Sequence, residues 1–135
     1  MSDNETLIHE KIVGSPLGQL FGFQTETIDA HGVAVRLPFR PEVTTLADIV
    51  HGGAIAALVD TAAVAAVWSK ADLTRQQRGA TVSCTVNYLA AGRGQDLIAH
   101  AQVIQRGRTL CVCEVDVRGA DGTLVARALV TYKLG

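Results

Sequence analysis

His51-Gly52-Gly53-Ala54-Ile55-Ala56-Ala57-Leu58-Val59-Asp60-Thr61-Ala62-Ala63-Val64-Ala65-Ala66-Val67-Trp68 is the stretch on which the reading of this chain turns. Between Ala54 and Trp68 only Asp60 and Thr61 interrupt the apolar residues. The run is rich in alanine, lacks proline and exceeds the usual length of a strand, so Gly52 to about Lys70 is predicted to be a helix despite its valines. Its apolar residues fall on every side, which predicts a helix buried all round. A carboxylate in such a place is costly unless something pairs with it, so Asp60 calls for a reason.

Upstream, Asn4 to Val13 carries Leu7, Ile8 and Ile12 at helical spacing, with Asn4 as a cap, and Gly14-Ser15-Pro16 ends it. Residues 1–15 are thus a helical extension. Phe21 to Asp29 and Val33 to Phe39 read as two strands joined near Asp29-Ala30-His31-Gly32. Pro41 to Val50 has no period and reads as a loop.

Downstream, Thr81 to Leu89, Asp96 to Gln105, Thr109 to Arg118 and Thr123 to Tyr132 each alternate apolar and polar residues. The connections at Ala91-Gly92-Arg93-Gly94, Arg106-Gly107-Arg108 and Ala120-Asp121-Gly122 are short and hold glycine, which favours antiparallel neighbours. The expected plan is two strands, one central helix and a four-stranded meander, in a single α+β domain over residues 1–135.

With 48% hydrophobic and 19% charged residues, a chain of 135 residues suffices for one packed core. Thirteen acidic against twelve basic residues leave no electrostatic footprint for nucleic acid. The N-terminus is acidic rather than signal-like, and the apolar run falls short of a membrane span, so a soluble, cytoplasmic protein is expected. Cys84, Cys111 and Cys113 form no metal-binding spacing and are expected to be reduced core thiols.

The order of elements, with Asp60 nine residues past His51, resembles the hotdog-fold thioesterases of the phenylacetate-degradation (PaaI-like) family from about Pro16 to Leu134. Ala57-Leu58-Val59-Asp60-Thr61-Ala62, Val86-Asn87-Tyr88-Leu89 with Ala90-Ala91, and Gln105-Arg106-Gly107-Arg108-Thr109-Leu110 carry the likeness further. The resemblance implies an antiparallel sheet wrapped around a long central helix, with two subunits joining their sheets. It also implies hydrolysis of acyl-CoA without metal or cofactor, coenzyme A being part of the substrate, by a homodimer or a homotetramer made of two dimers. On that pattern Asp60 is the general base or nucleophile, and the N–H of Gly52 the oxyanion donor. Thr81 fits a recurring serine or threonine, whereas Thr45 stands where relatives often have asparagine. Aromatic acyl groups such as hydroxyphenylacetyl follow from the resemblance alone; medium-chain acyl groups are equally open.

The chemistry agrees. Thioester hydrolysis needs a base or nucleophile and donors aimed at the developing oxyanion. A helix N-terminus supplies free N–H groups, and Gly52 and Gly53 permit close approach of the carbonyl. Asp60 lies eight residues beyond Gly52, about 12 Å along a helix at ~1.5 Å per residue. One straight helix cannot bring both to one carbonyl, which requires Asp60 of one subunit to face Gly52 of another.

His51 either holds the loop or orients the thioester. Arg93, Arg106, Arg108 and Lys133 sit at turns or strand ends where they can meet phosphate, Arg106 and Arg108 best placed. Trp68 and Phe21 or Phe23 either line an acyl pocket or are plain core. Two other readings stand beside hydrolysis: an acyl-thioester hydratase or dehydratase, which resembles a histidine followed by proline-bearing sequence, and a non-catalytic acyl-CoA binding module.

Overall fold

A computed structural model describes all residues, Met1 to Gly135. Six strands, β1 (Gln24–Asp29), β2 (Gly32–Leu37), β3 (Gly79–Tyr88), β4 (Leu97–Arg106), β5 (Leu110–Gly119) and β6 (Leu124–Leu134), make one antiparallel sheet in the order β1-β2-β4-β5-β6-β3. Three helices accompany it: α1 (Asp3–Leu7), which continues as a π-helical segment (Ile8–Val13), α2 (Pro16–Phe21) and α3 (Gly52–Trp68). Helix α3 packs across β2, β4, β5, β6 and β3, giving the expected α+β arrangement of a sheet around one helix. None of the helices is long and apolar enough to cross a membrane.

The alternation read from the sequence sets the core. Leu97, Ala99 and Ala101 on β4, Cys113, Val115 and Val117 on β5, and Ala128 and Val130 on β6 are buried, while their neighbours in sequence turn outward. They meet Leu58, Val59, Ala62 and Ala66 of α3. Complete burial of Leu58, Val59 and Val67 stabilises the fold by about 1.5–3 kcal/mol each.

Several expectations need correcting. Asn4 does not cap its own helix; Ser2 does, accepting from the Glu5 N–H at 3.2 Å. Phe21 closes α2 rather than opening a strand, because Ser15 and Pro16 start a new helical turn and Gly22, at φ 79°, stops it. Helical structure therefore runs past residue 15. The last four strands are not a meander: β4, β5 and β6 are, but β3 crosses to the far edge and pairs with β6. The glycine-bearing segment after β3 is a crossover, tied beneath the start of α3 by Val50 N–H to Gly92 O (2.8 Å) and held on β6 by Leu89 N–H to Val125 O (2.8 Å).

Helix α3 is not buried all round. Gly53, Ala56, Ala57, Asp60, Thr61, Val64 and Trp68, one helical stripe, are only half-buried or exposed. Cys84 is likewise no core thiol, since it lies on the open strand β3, whereas Cys111 and Cys113 are buried.

Candidate active site along the central helix

The two ends of α3 are finished differently. At the C-terminus every one of the last four carbonyls has a donor. Ala65 O accepts from Ser69 N–H (2.9 Å) and Ala66 O from Ser69 Oγ (2.7 Å). Val67 O accepts from Arg106 (3.2 Å), and Trp68 O from Asn4 Nδ2 (2.8 Å). Asn4 also donates to Ala71 O at 2.9 Å.

At the N-terminus one group is left over. Gly53 N–H donates to Nδ1 of His51 at 2.8 Å, and Ala54 and Ile55 both donate to His51 O. Of the four N–H groups that a helix leaves unpaired at its start, only that of Gly52 has no partner. His51 is thus a cap: an Nδ1 that accepts carries no proton, so the ring's proton sits on Nε2. A Cβ on Gly53 would come within 3.0 Å of that Nδ1, which explains the second glycine. Gly52 itself could carry a Cβ in ordinary contact, 3.5 Å from the Tyr88 ring.

Beside Gly52 opens a pocket of about 330 Å³. Its walls are mainly aliphatic, Ile49, Val50, Ile55 and Leu89 among them, with Thr45 and Tyr88 as its side-chain hydroxyls. No charged side chain lines it. Thr45 and Gly52 are thereby brought together, with Thr45 in a loop folded by Thr45 N–H to Ile49 O (2.9 Å) and by Ala47 at φ 53°.

Asp60 lies two turns further along, half-buried on the open stripe of α3 rather than sunk in the interior. Thr81 donates its Oγ1–H to Asp60 Oδ1 at 2.7 Å, so the expected pair forms. Cys84 on the same strand is close enough for the Asp60 carboxylate to add to partial burial in raising its thiol above the usual range. Tyr132 is raised too, by burial first, against a hydrogen bond from Trp68 Nε1 to its hydroxyl (3.0 Å).

Arg106 and Arg108 are at the other end of α3. Arg106 caps the helix and Arg108 is exposed; both border a cleft of about 190 Å³ with Lys70, Asp72 and Arg75. Arg93 is paired with Asp48 at 3.3 Å, away from that cleft. Phe21 and Phe23 stack edge to face at 5.7 Å against the core, and neither they nor Trp68 line the pocket beside Gly52. The sequence reading missed Tyr88, whose hydroxyl donates to Gly52 O at 2.9 Å. The alternation of Thr81 to Leu89 gives Tyr88 no partner, and nothing local shows that β3 passes the start of α3.

Residues 47–126 match the model of the thioesterase superfamily. A Halobacterium salinarum protein whose name suggests an esterase is 33% identical over 118 residues, covering 85% of this chain and 78% of that one. The medium/long-chain acyl-CoA thioesterase YigI of Salmonella typhimurium is 31% identical over 99 residues, 64% of this chain and 63% of that enzyme. Among solved structures, a mutant thioesterase of Pseudomonas aeruginosa superposes with a TM-score of 0.87 at 24% identity, over 99% of this chain and 94% of its own. That likeness bears on the fold, while the sequence matches bear on descent: the chain belongs to the thioesterase superfamily.

Proposed function

We propose that this protein hydrolyses acyl-CoA thioesters at sites shared between two copies of the chain. The observation that carries this is the unpaired N–H of Gly52 on the same unbroken helix as Asp60. Eight residues at ~1.5 Å each separate them by about 12 Å, too far for one carbonyl. A second copy supplies the missing half if its α3 lies against the open stripe. Two features favour such a partner: that stripe, and the edge strand β3, exposed along most of its length with one side unpaired.

The reaction balances with these groups. The Asp60 carboxylate takes a proton from water, and the water oxygen bonds to the thioester carbon. The carbonyl oxygen gains the negative charge and is held by Gly52 N–H of the other copy. Collapse breaks the C–S bond, and the departing thiolate of coenzyme A takes up the proton. Direct attack by Asp60 is the other route; Thr81 engages Oδ1, leaving Oδ2 for either task.

The aliphatic pocket beside Gly52 fits an uncharged hydrocarbon acyl group, medium-chain or aromatic, as in the PaaI-like family. Coenzyme A would run the other way along α3. Lys70 is ten residues past Asp60, about 15 Å at ~1.5 Å per residue, and Arg75, Arg106 and Arg108 flank it for the phosphates.

Mixing two inactive variants tests the shared site. Gly52→Pro replaces the free N–H with a ring carbon and so closes the donor position without breaking the helix, since proline is tolerated at the first helical position and His51, at ψ 133°, already has the conformation that proline requires before it. Asp60→Asn removes the base. A mixed dimer keeps one intact site, so equal amounts unfolded and refolded together should recover about one quarter of wild-type thiol release. No recovery, with mixed dimers demonstrated, would sink the shared site.

A further inference from the structure

Two successive glycines, Gly52 and Gly53, have the greatest intrinsic backbone freedom at the start of α3, yet they carry the group that must be best aimed. Two side chains from different elements hold them. His51, from the loop, takes Gly53 N–H through Nδ1 at 2.8 Å. Tyr88, the last residue of β3, donates its hydroxyl to Gly52 O at 2.9 Å and lays its ring 3.5 Å from the point where a Gly52 Cβ would stand. After these contacts and the helix's own bonds, the only main-chain group of the pair's first residue without a partner is its N–H.

We infer that Tyr88 is a positioning residue for the reaction: its hydroxyl bond to Gly52 O and its ring against Gly52 hold the Gly52–Gly53 peptide, and through the Gly52 Cα they fix the adjoining His51–Gly52 peptide, whose N–H donates to the oxyanion. This deepens the reading of Gly52 as oxyanion donor and rests on it. Tyr88 belongs neither to the core cluster nor to the side chains packed against it, so the chain's own core does not hold it there. Glycine loses more conformational freedom on ordering than any other residue. A donor on an unclamped glycine must be ordered anew as charge develops, whereas a clamped one is ready. The crossover after β3 places the residue: Leu89 and Ala90 both donate to Val125 O, which anchors the strand end just beyond Tyr88.

Tyr88→Phe keeps the ring and the pocket wall and deletes only the hydroxyl. The expected result is a fall in kcat of about tenfold with KM within about twofold, by the same factor for short and long acyl-CoA esters, with the melting temperature unchanged. The clamp is read apart from turnover by amide hydrogen exchange of Gly53, which should quicken several-fold in Tyr88→Phe. Unchanged kcat, a change in KM alone, a factor that varies with acyl length, or unchanged exchange at Gly53 would each overturn the assignment. A wild-type protein that releases no thiol from any acyl-CoA ester defeats the hydrolase reading instead; faster exchange in the variant would then show a clamp without this reaction.

Discussion

Thr81 reaches Asp60 because strand β3 skips a beat just after Thr81: the register to β6 pairs Thr81 with Tyr132 and Ser83 with Thr131, leaving Val82 as a bulge. Tyr132 and Val130 both face the core, so Thr81 and Cys84, their partners, both turn toward α3. Strict alternation would have put Thr81 on the opposite face from Cys84. The bulge thus delivers a hydroxyl at 2.7 Å to one oxygen of the carboxylate. Thr81→Val keeps the shape and removes this donor. Hydrogen bonds to charged groups are worth about 1.5–3 kcal/mol, so kcat should fall roughly ten- to a hundredfold, while Thr81→Ser stays near wild type. Equal kcat in the valine and serine variants would detach Thr81 from the reaction.

Asp60→Asn should leave the fold intact, since the residue is half-buried and the amide oxygen can still accept from Thr81. Loss of a general base costs about 10²–10⁴ in rate. Thiol release from acyl-CoA esters, measured alongside a melting curve, checks both halves. A variant that keeps its melting temperature and retains more than a tenth of the wild-type kcat removes the catalytic assignment.

The parts of the fold set by local pattern were legible. The alanine-rich run gave α3, and period-two alternation gave β4, β5 and β6 to within about two residues at each end. What failed was non-local. The position of β3 at the far edge depends on β6 presenting a free side and on the crossover passing under α3, and neither is encoded in β3's own residues. The open stripe on α3 was hidden for a related reason: Ala56, Ala57 and Val64 are as apolar as their buried neighbours, and only the sheet's placement decides which face is covered. At the candidate site, Gly52, Asp60 and Thr81 could be named from type and spacing. Tyr88 could not, because its contact with Gly52 joins residues 36 apart. Arg106, whose place at a strand end suits phosphate, also donates to Val67 O and so caps the helix, a contact across 39 residues that no local pattern carries.

Asn4 ties the N-terminal segment to the end of α3 by giving both of its amide hydrogens to the carbonyls of Trp68 and Ala71. Asn4→Ala should cost about 1–2 kcal/mol, from lost bonds and carbonyls left without that donor. Asn4→Asp has the same shape but turns a donor into an acceptor, at the negative end of the helix dipole. It should be the less stable of the two variants, by at least about 1 kcal/mol near neutral pH, where the carboxylate is charged. Denaturant midpoints at pH 7 decide this. An alanine variant as stable as wild type would show that the two bonds contribute little, and an aspartate variant as stable as the alanine variant would remove the charge repulsion at the helix end.

Alkaline pH should weaken the protein through Cys113. Its thiol is fully buried, with Sγ 3.7 Å from Ala63 O, and burial pushes it up from 9.0 to about 11, with Cys111 adding to the rise and Arg106 opposing it. Because the folded value lies above the unfolded one, the contribution to stability is whole below pH 9, where both states keep the proton. From pH 9 the unfolded chain sheds the proton and the folded chain does not, so stability is lost as pH rises toward about 11. Two pH units correspond to at most ~3 kcal/mol. Tyr132, raised from 10.0, adds a further loss at the upper end of this range. Cys113→Ala leaves a small void and should be less stable than wild type by about 1–2 kcal/mol at pH 7. Lacking the buried thiol, it should lose less on going to pH 11, so the two stability curves converge. Parallel decline of both proteins between pH 9 and pH 11 would assign the alkaline loss to other groups.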